Sequence, residues 1–171
     1  MRLRAWLGTL VFLVVTPGVV AGLIPFWITG WRMPWDGGWS SPVAIVAGIA
    51  IAAGILVLLD AFVRFARADG TPAPPMPTQH LVVVGPYRFV RNPMYVAVLT
   101  IILGQALLFR SIGALAYAGL VLAMVSLFVR GYEEPTLEEE YGEEYREYKR
   151  HVRAWLPRLH PWRQPTQPPV G

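Results

Sequence analysis

The sequence has 171 residues, of which 54% are hydrophobic and only 15% are charged. Soluble domains carry about 25% charged residues, so the composition excludes a disordered chain and disfavours an ordinary soluble domain. There is no cysteine, which excludes disulfides, thiolate metal ligands and thiol catalysis. The net charge is +4, and all eight glutamates lie within residues 133–147. The chain is therefore expected to be a membrane protein whose glutamates form one late block.

Four apolar segments predict transmembrane helices, at residues 5–29, 42–65, 94–109 and 112–129. A helix needs about 20 apolar residues to cross about 30 Å of hydrocarbon, so the third segment is short. Pro17-Gly18 predicts a kink in the first segment, and small residues predict close packing of the second. Only Arg110-Ser111 separates the third and fourth segments, which predicts a tight antiparallel hairpin.

The first segment has an alternative interpretation as a signal peptide, with Arg2 and Arg4 before the apolar run and a cleavage site after Ala21. A transmembrane helix is favoured because the apolar run continues past that site. Most other basic residues follow the second and fourth segments, so the positive-inside rule places both termini in the cytoplasm. The expected fold is an all-α integral membrane protein of four transmembrane helices and a C-terminal cytoplasmic amphipathic helix. A composition with a single lysine and many Arg, Ala, Gly and Pro residues suggests a bacterial cytoplasmic membrane.

Residues 79–95 read QHLVVVGPYRFVRNPMY, with a turn signal at Gly85 and a helix start at Asn92-Pro93. The free N–H groups of this helix start, beside Arg88 and Arg91, would attract an anionic group. The alternative is that the two arginines only anchor the loop to lipid headgroups.

Residues 131–155 predict one or two cytoplasmic helices, with a capping box at Thr136 and Glu139. One face is apolar, and its members are Leu137, Tyr141, Tyr145, Tyr148, Val152 and Trp155. Glu147 and Arg150 are spaced to pair on the other face. Glu133 and Glu134 lie outside this repeat at the membrane exit, which suggests a cationic or hydroxyl-bearing partner. The alternative for the glutamates as a group is a solvated helix face.

Several function classes lack their motifs. The sequence contains no GxGxxG, Walker A, HExxH or GxSxG motif, and its three histidines lack metal-ligand spacing. We therefore expect neither a Rossmann domain nor a metal site, and nothing predicts a nucleic-acid partner. The absence of internal repeats argues against a transporter.

Two blocks of the sequence resemble the isoprenylcysteine carboxyl methyltransferase family and related phospholipid methyltransferases. The first is LVVVGPYRFVRNPMY at residues 81–95, close to the family form LV-x-x-G-x-Y-x-x-x-R-H-P-x-Y. The second contains EEPTL at residues 133–137 and YGEEYREY at residues 141–148, followed by a basic residue and a final Pro. Asn92 stands where the family more often has His, and it cannot titrate near neutral pH.

The resemblance implies a membrane methyltransferase that uses S-adenosylmethionine and takes its acceptor from the lipid side. It implies three catalytic candidates, which are Arg91, Asn92 and Glu134. It implies a cofactor site whose members are Val83, Gly85, Tyr87, Arg91, Asn92, Pro93, Tyr95, Gly104, Glu133, Glu134, Tyr145 and Tyr148. The expected organisation is two N-terminal transmembrane helices (1–66), a methyltransferase core (67–159) and a disordered tail (160–171).

The acceptor stays open among a prenylcysteine carboxylate, a phosphatidylethanolamine amine and a small thiol. One alternative function is a non-catalytic membrane protein that binds headgroups or a partner through its loop and helix. Another is a reductase related to the sterol reductases, which would bind a nicotinamide cofactor and for which the chain is short.

Overall fold

The computed structural model describes residues 16–34, 41–67, 81 and 83–163. Every regular element within those ranges is helical. The helices are α1 (Gly18–Thr29), α2 (Pro42–Arg67), α3 (Pro93–Leu108), α4 (Ile112–Tyr141) and α5 (Glu143–His151). A 3₁₀ turn at Gly85–Arg88 precedes α3.

Two helices are long and apolar enough to cross a membrane, at Pro42–Arg64 and Ile112–Tyr141. They correspond to the second and fourth predicted spans. The 16-residue α3 is about 24 Å long, shorter than the hydrocarbon layer. The first predicted span is described only from residue 16 onward, and α1 within it is also short. The all-helical class is thus confirmed, and two of the four expected helices have the length for a span.

Glycines let α2 and α3 approach closely. A Cβ atom on Gly54 would lie 2.7 Å from Ile101 Cγ1 and 2.9 Å from the Ala97 carbonyl oxygen. A Cβ on Gly104 would lie 2.6 Å from Ile51 Cγ1. Real Cβ contacts are longer than these, so only glycine fits at either position. The small residues of the second segment therefore serve close packing, as the sequence predicted.

The predicted disturbance near Pro17 takes the form of a π-helical stretch at Gly18–Leu23. Pro25 has no N–H, so it cannot bond the carbonyls of Val20 and Ala21, five and four residues earlier. Side chains of the other helices bond them instead, because Tyr117 Oη donates to Val20 O at 3.0 Å and Gln105 Nε2 donates to Ala21 O at 2.6 Å. These bonds fix α1 against the α3–α4 hairpin.

The hairpin is as tight as expected, with Phe109 to Ser111 between α3 and α4. Ser111 caps α4 by accepting a hydrogen bond from Ala114 N at 3.1 Å. The π-helical stretch Val129–Glu133 continues α4 without a break, so no separate cytoplasmic helix begins at Gly131. The expected capping box is therefore wrong, because Thr136 lies inside the helix and donates to Tyr132 O at 2.7 Å.

A helix of 30 residues is about 45 Å long, so α4 extends well beyond a membrane of ordinary thickness. Its last turns end at Gly142, where a φ of 56° turns the chain into α5. Within the expected tail, Trp162 is buried. Residues 164–171 lie outside the described ranges, as do residues 68–80 after α2.

Candidate functional site

The C-terminal end of α2, the start of α3 and the late turns of α4 meet at one end of the helical bundle. We call this the site end. The loop of residues 85–92 enters it through Gly85, whose φ is +55°. The guanidinium of Arg64 lies directly over this glycine and leaves no room for a Cβ atom. Asp60 holds Arg64 in place through a 2.7 Å ion pair.

Three backbone hydrogen bonds join the 85–92 loop to the chain after α5. Arg91 N donates to Arg153 O at 2.9 Å, and Arg158 N donates to Phe89 O at 2.8 Å. Trp162 N donates to Arg88 O at 2.9 Å, and Arg88 Nε donates to Trp162 O at 2.8 Å. Arg88 therefore holds the loop through its Nε and its carbonyl oxygen.

Glu134 of α4 lies between two cations, Arg91 of the 85–92 loop and Lys149 of α5. One oxygen is 3.1 Å from Arg91 Nη2, and the other is 2.9 Å from Lys149 Nζ. The side chains of Arg91 and Glu134 are 10% and 14% exposed. Hydrogen bonds to Glu138 and Glu134 raise the pKa of Lys149, so the ammonium stays charged. We call Arg91, Glu134 and Lys149 the buried charge cluster; Arg91 and Glu134 are nearly removed from solvent, and the Lys149 side chain at its edge is 38% exposed.

Three buried nitrogen atoms at the start of α3 have no hydrogen-bond partner: Arg91 Nε, Arg91 Nη1 and Asn92 Nδ2. Asn92 occupies the N-cap position as predicted, but its side chain does not cap the helix. A buried donor without a partner costs about 1–3 kcal/mol, and more when it is charged. The arrangement therefore suits an acceptor that comes from outside the chain.

Glu133 lies on the other side of this helix start. Its Oε2 accepts a hydrogen bond from Tyr95 Oη at 3.0 Å, and the Tyr95 ring lies 6.4 Å from that of Trp155. Among the ion pairs of the described residues, none includes Glu133. A partly buried carboxylate that is bonded to a tyrosine and has no cation among the described ion pairs is suited to a positively charged ligand.

An aromatic cluster supports the loop from the α5 side. Its buried members are Val83, Tyr145, Tyr148, Val152 and Trp162. Tyr148 Oη donates to Tyr87 O at 2.6 Å, and burial raises the pKa of this phenol, so the donor keeps its proton. Burial also raises the pKa of Tyr145 to about 12. The apolar repeat predicted for residues 137–152 is thus a packing surface.

The structure brings most of the predicted site residues to the site end. Arg91, Asn92, Tyr95, Glu133 and Glu134 meet at the start of α3, with Gly85 and Pro93 next to them. Val83, Tyr87, Tyr145 and Tyr148 form the support described above. Gly104 is not brought to this place, because it lies eleven residues along α3 from Pro93, about 16 Å away, against α2.

Three features of the site were not singled out from the sequence. The sequence does mark out Lys149, since it is the only lysine among 15 basic residues. Trp155 was assigned to the amphipathic face, but its contact with Tyr95 depends on the turn after α5. The position of Arg64 over Gly85 had no sequence signal, because the two residues are far apart in the chain and meet only in the tertiary fold.

A cavity of about 450 Å³ opens beside the helix start, between α2 and α3. Its lining is apolar except for Asp60, and it includes Val57, Val90, Pro93, Val96 and Pro157. The cavity lies near the C-terminal end of the largely apolar helix α2, beside Asp60, and at the start of the apolar helix α3. A cavity of this size and lining accommodates part of an apolar ligand.

A family described as phospholipid methyltransferase matches residues 43–144, more than half of the chain. The chain belongs to this family. Its matched part includes the 85–92 loop and both Glu133 and Glu134, while Tyr145 and Tyr148 lie just outside it. The phospholipid methyltransferase family is one of membrane methyltransferases, in agreement with the resemblance of the two sequence blocks.

Two individual proteins are similar to this chain. The cobalt-zinc-cadmium resistance protein CzcN of Cupriavidus metallidurans is 32% identical over 127 residues, which is 73% of this chain and 54% of CzcN. An uncharacterized protein of Haemophilus influenzae is 37% identical over 65 residues, which is 37% of this chain and the whole of that protein. The chain therefore spans about half the length of CzcN, whose name describes that protein alone.

Proposed function

We propose that this protein transfers a methyl group from S-adenosylmethionine to a lipid-like or lipidated acceptor at the membrane. The observation that carries the proposal is the helix start with its three unpartnered donors, on Arg91 and Asn92, beside the uncompensated carboxylate of Glu133. A zwitterionic ligand would bind the unpartnered donors through its carboxylate and Glu133 through its cationic part. S-adenosylmethionine has a carboxylate, an ammonium, a sulfonium and two ribose hydroxyls.

The residues fit this cofactor one group at a time. The donors of Arg91 and Asn92, together with the free N–H groups of α3, suit the carboxylate. Glu133 suits the ammonium or a ribose hydroxyl, and the rings of Tyr95 and Trp155 suit a sulfonium. When bound, the cofactor supplies an electrophilic methyl group.

Glu134 has a different role from that of Glu133 in this proposal. Both of its oxygens are engaged by Arg91 and Lys149, so it is a positioning residue that orients the Arg91 guanidinium. Gly85 allows the turn that begins the loop, and Pro93 begins α3. Tyr148 fixes the loop by donating a hydrogen bond to Tyr87 O. Methyl transfer by in-line displacement needs alignment and exclusion of water, which such a rigid support provides.

The apolar cavity beside Pro93 is proposed as the place of the acceptor's hydrocarbon part. Asn92 cannot act as a base, and the raised pKa of Tyr148 keeps its phenol protonated. An acceptor that is already nucleophilic, such as a carboxylate or thiolate, needs no base, whereas an ammonium must first lose a proton. The positive-inside rule places the site end, with both termini, on the cytoplasmic side.

The alternative function is a membrane protein that binds headgroups without catalysis. The same unpartnered donors of Arg91 and Asn92 favour it, because a headgroup phosphate would also satisfy them. Glu133 disfavours an anionic headgroup, since a carboxylate without a cation repels a phosphate and attracts an ammonium. A zwitterionic headgroup carries both charges, so the methyl-transfer experiment separates it from the cofactor.

The experiment is to incubate membranes that contain the protein with methyl-labelled S-adenosylmethionine and to identify the labelled lipid or small molecule. The Glu133→Gln variant should lose most of the transferred label. The matched control is Glu140→Gln, which removes an exposed carboxylate of α4 and should keep full transfer. Membranes in which no molecule becomes labelled above the background of empty membranes would contradict the proposal.

A further inference from the structure

The chain after α5 carries exposed apolar side chains that its fold does not cover. Leu159 is 93% exposed and Leu156 is 63% exposed, while Trp162 between two exposed neighbours is buried. Isolated exposed leucines are ordinary, but these two lie three residues apart in a short stretch without regular structure. We call residues 153–163 the C-terminal segment.

The charge of the C-terminal segment is one-sided. It contains Arg153, Arg158 and Arg163 and no acidic residue, directly after a block that contains all eight glutamates of the chain. Arg153 and Arg163 are exposed, whereas Arg158 donates to His151 O at 2.6 Å. Basic side chains next to exposed leucines are complementary to an anionic lipid surface.

The position of the C-terminal segment agrees with that partner. Pro157 lines the cavity together with Val57 of α2 and Val96 of α3. Both helices are apolar, and α2 is long enough to cross a membrane. The segment is also bonded to the loop that precedes α3, through Arg153 O and Arg158 N. Leu156 and Leu159 are therefore held near the charged end of a candidate membrane span, where a bilayer surface would lie.

We infer that the C-terminal segment is an interfacial membrane-binding element, which inserts Leu156 and Leu159 among anionic lipid headgroups through Arg153 and Arg163. This inference does not depend on the proposed methyl transfer, because it requires only a bilayer with negative charge. It also gives the cavity a wall, at Pro157, that is in direct contact with lipid.

The absence of cysteine from the chain makes the test direct, because one introduced cysteine carries one label. Leu159→Cys is labelled with an environment-sensitive fluorophore, and the full-length protein is placed in vesicles containing phosphatidylglycerol and headgroup-linked nitroxide lipids. We expect a blue-shifted emission and strong quenching by the nitroxide lipids. Glu140→Cys, exposed on α4, is the matched control and should show neither.

The charge requirement is tested with the double variant Arg153→Gln and Arg163→Gln in the Leu159→Cys background. We expect its quenching to fall to the level of the labelled Leu159→Cys protein with native arginines in vesicles of phosphatidylcholine alone. The pair Arg146→Gln and Arg150→Gln on α5 should leave the quenching unchanged. Emission from Leu159→Cys that is as water-exposed as that of the control would overturn the inference. So would a blue shift without lipid quenching, together with disulfide-linked dimers of the unlabelled Leu159→Cys protein, since a second copy would then cover the segment.

Discussion

Two groups of charged residues that both involve α5 have different environments. The buried charge cluster joins Arg91, Glu134 and Lys149, with Arg91 and Glu134 almost removed from solvent. A surface charge cluster on α5 pairs Glu143 and Glu147 with Arg146 and Arg150 at similar distances, 3.1 to 3.3 Å. Its members are 36% to 64% exposed.

The comparison shows that ion-pair distance does not distinguish a site from a solvated helix face. In the surface cluster each charged side chain has an oppositely charged partner and is open to water. The buried cluster is incomplete, because Arg91 keeps two unpartnered nitrogen atoms beside that of Asn92. Exposed pairs contribute about 0–1 kcal/mol, whereas a buried charge without a partner is costly. The incomplete cluster is therefore the one that calls for a ligand.

The largest expected effect is that of Glu134→Gln, which removes one partner of the buried cluster. Arg91 would keep its charge without a counterion, and the free energy of unfolding should fall by about 3–5 kcal/mol. Thermal unfolding in detergent measures this loss, with Glu143→Gln of the surface cluster as the control. Equal losses in the two variants would show that the environments do not differ as described.

The next effect is that of Gly85→Ala, which we compare with Gly142→Ala. Both glycines have positive φ, +55° and +56°, so an alanine at either adds strain of about 1–3 kcal/mol. Only Gly85 also has a guanidinium, that of Arg64, where the methyl group would go. Gly85→Ala should therefore unfold at the lower temperature and should also weaken binding of S-adenosylmethionine. Identical melting temperatures of the two variants would show that Arg64 does not restrict the side chain at position 85.

A third variant separates packing from the site. Gly104→Ala should lower stability by about 1–3 kcal/mol, because its methyl group meets Ile51 of α2. Gly48→Ala on α2 is the control, since nothing lies within 4 Å of its Cβ position. The structure predicts that Gly104→Ala leaves cofactor affinity unchanged in the folded fraction. A selective loss of affinity would instead support the cofactor role that the sequence resemblance implied for Gly104.

The smallest effect is expected for Arg150→Gln in the surface cluster. The Arg150 side chain is 62% exposed, and its pairs with Glu143 and Glu147 are screened by water and salt. Stability should change by less than about 1 kcal/mol, and less still at high salt. A loss as large as that of Glu134→Gln, measured by the same thermal unfolding, would contradict the comparison.

The sequence predicted the helical class, the tight α3–α4 hairpin and the helix start at Pro93, because apolar length and turn residues are local signals. It also predicted that Glu133 and Glu134 differ from the other six glutamates, because they lie outside the apolar repeat. The sequence could not assign different roles to Glu133 and Glu134, because the neighbours of each side chain depend on the tertiary fold. Only the tertiary contacts show Glu134 between two cations and Glu133 bonded to Tyr95.

Other errors have the same origin. The capping box at Thr136 has the right residue spacing, but α4 continues through a π-helical stretch, so no helix begins there. The sequence also carried no signal for the packing of Trp162 on Tyr148, with ring centroids 5.6 Å apart, because only the turn after α5 brings the two residues together.

The central claim is that the unpartnered donors of Arg91 and Asn92 receive the carboxylate of S-adenosylmethionine. The most direct measurement compares the affinities of S-adenosylmethionine and its decarboxylated form, by calorimetry with the purified full-length protein. The wild type should bind the carboxylate-bearing form more tightly, and Arg91→Met should lose that preference while Arg146→Met keeps it. A wild type that binds neither form, or a preference that persists in Arg91→Met, would contradict the account.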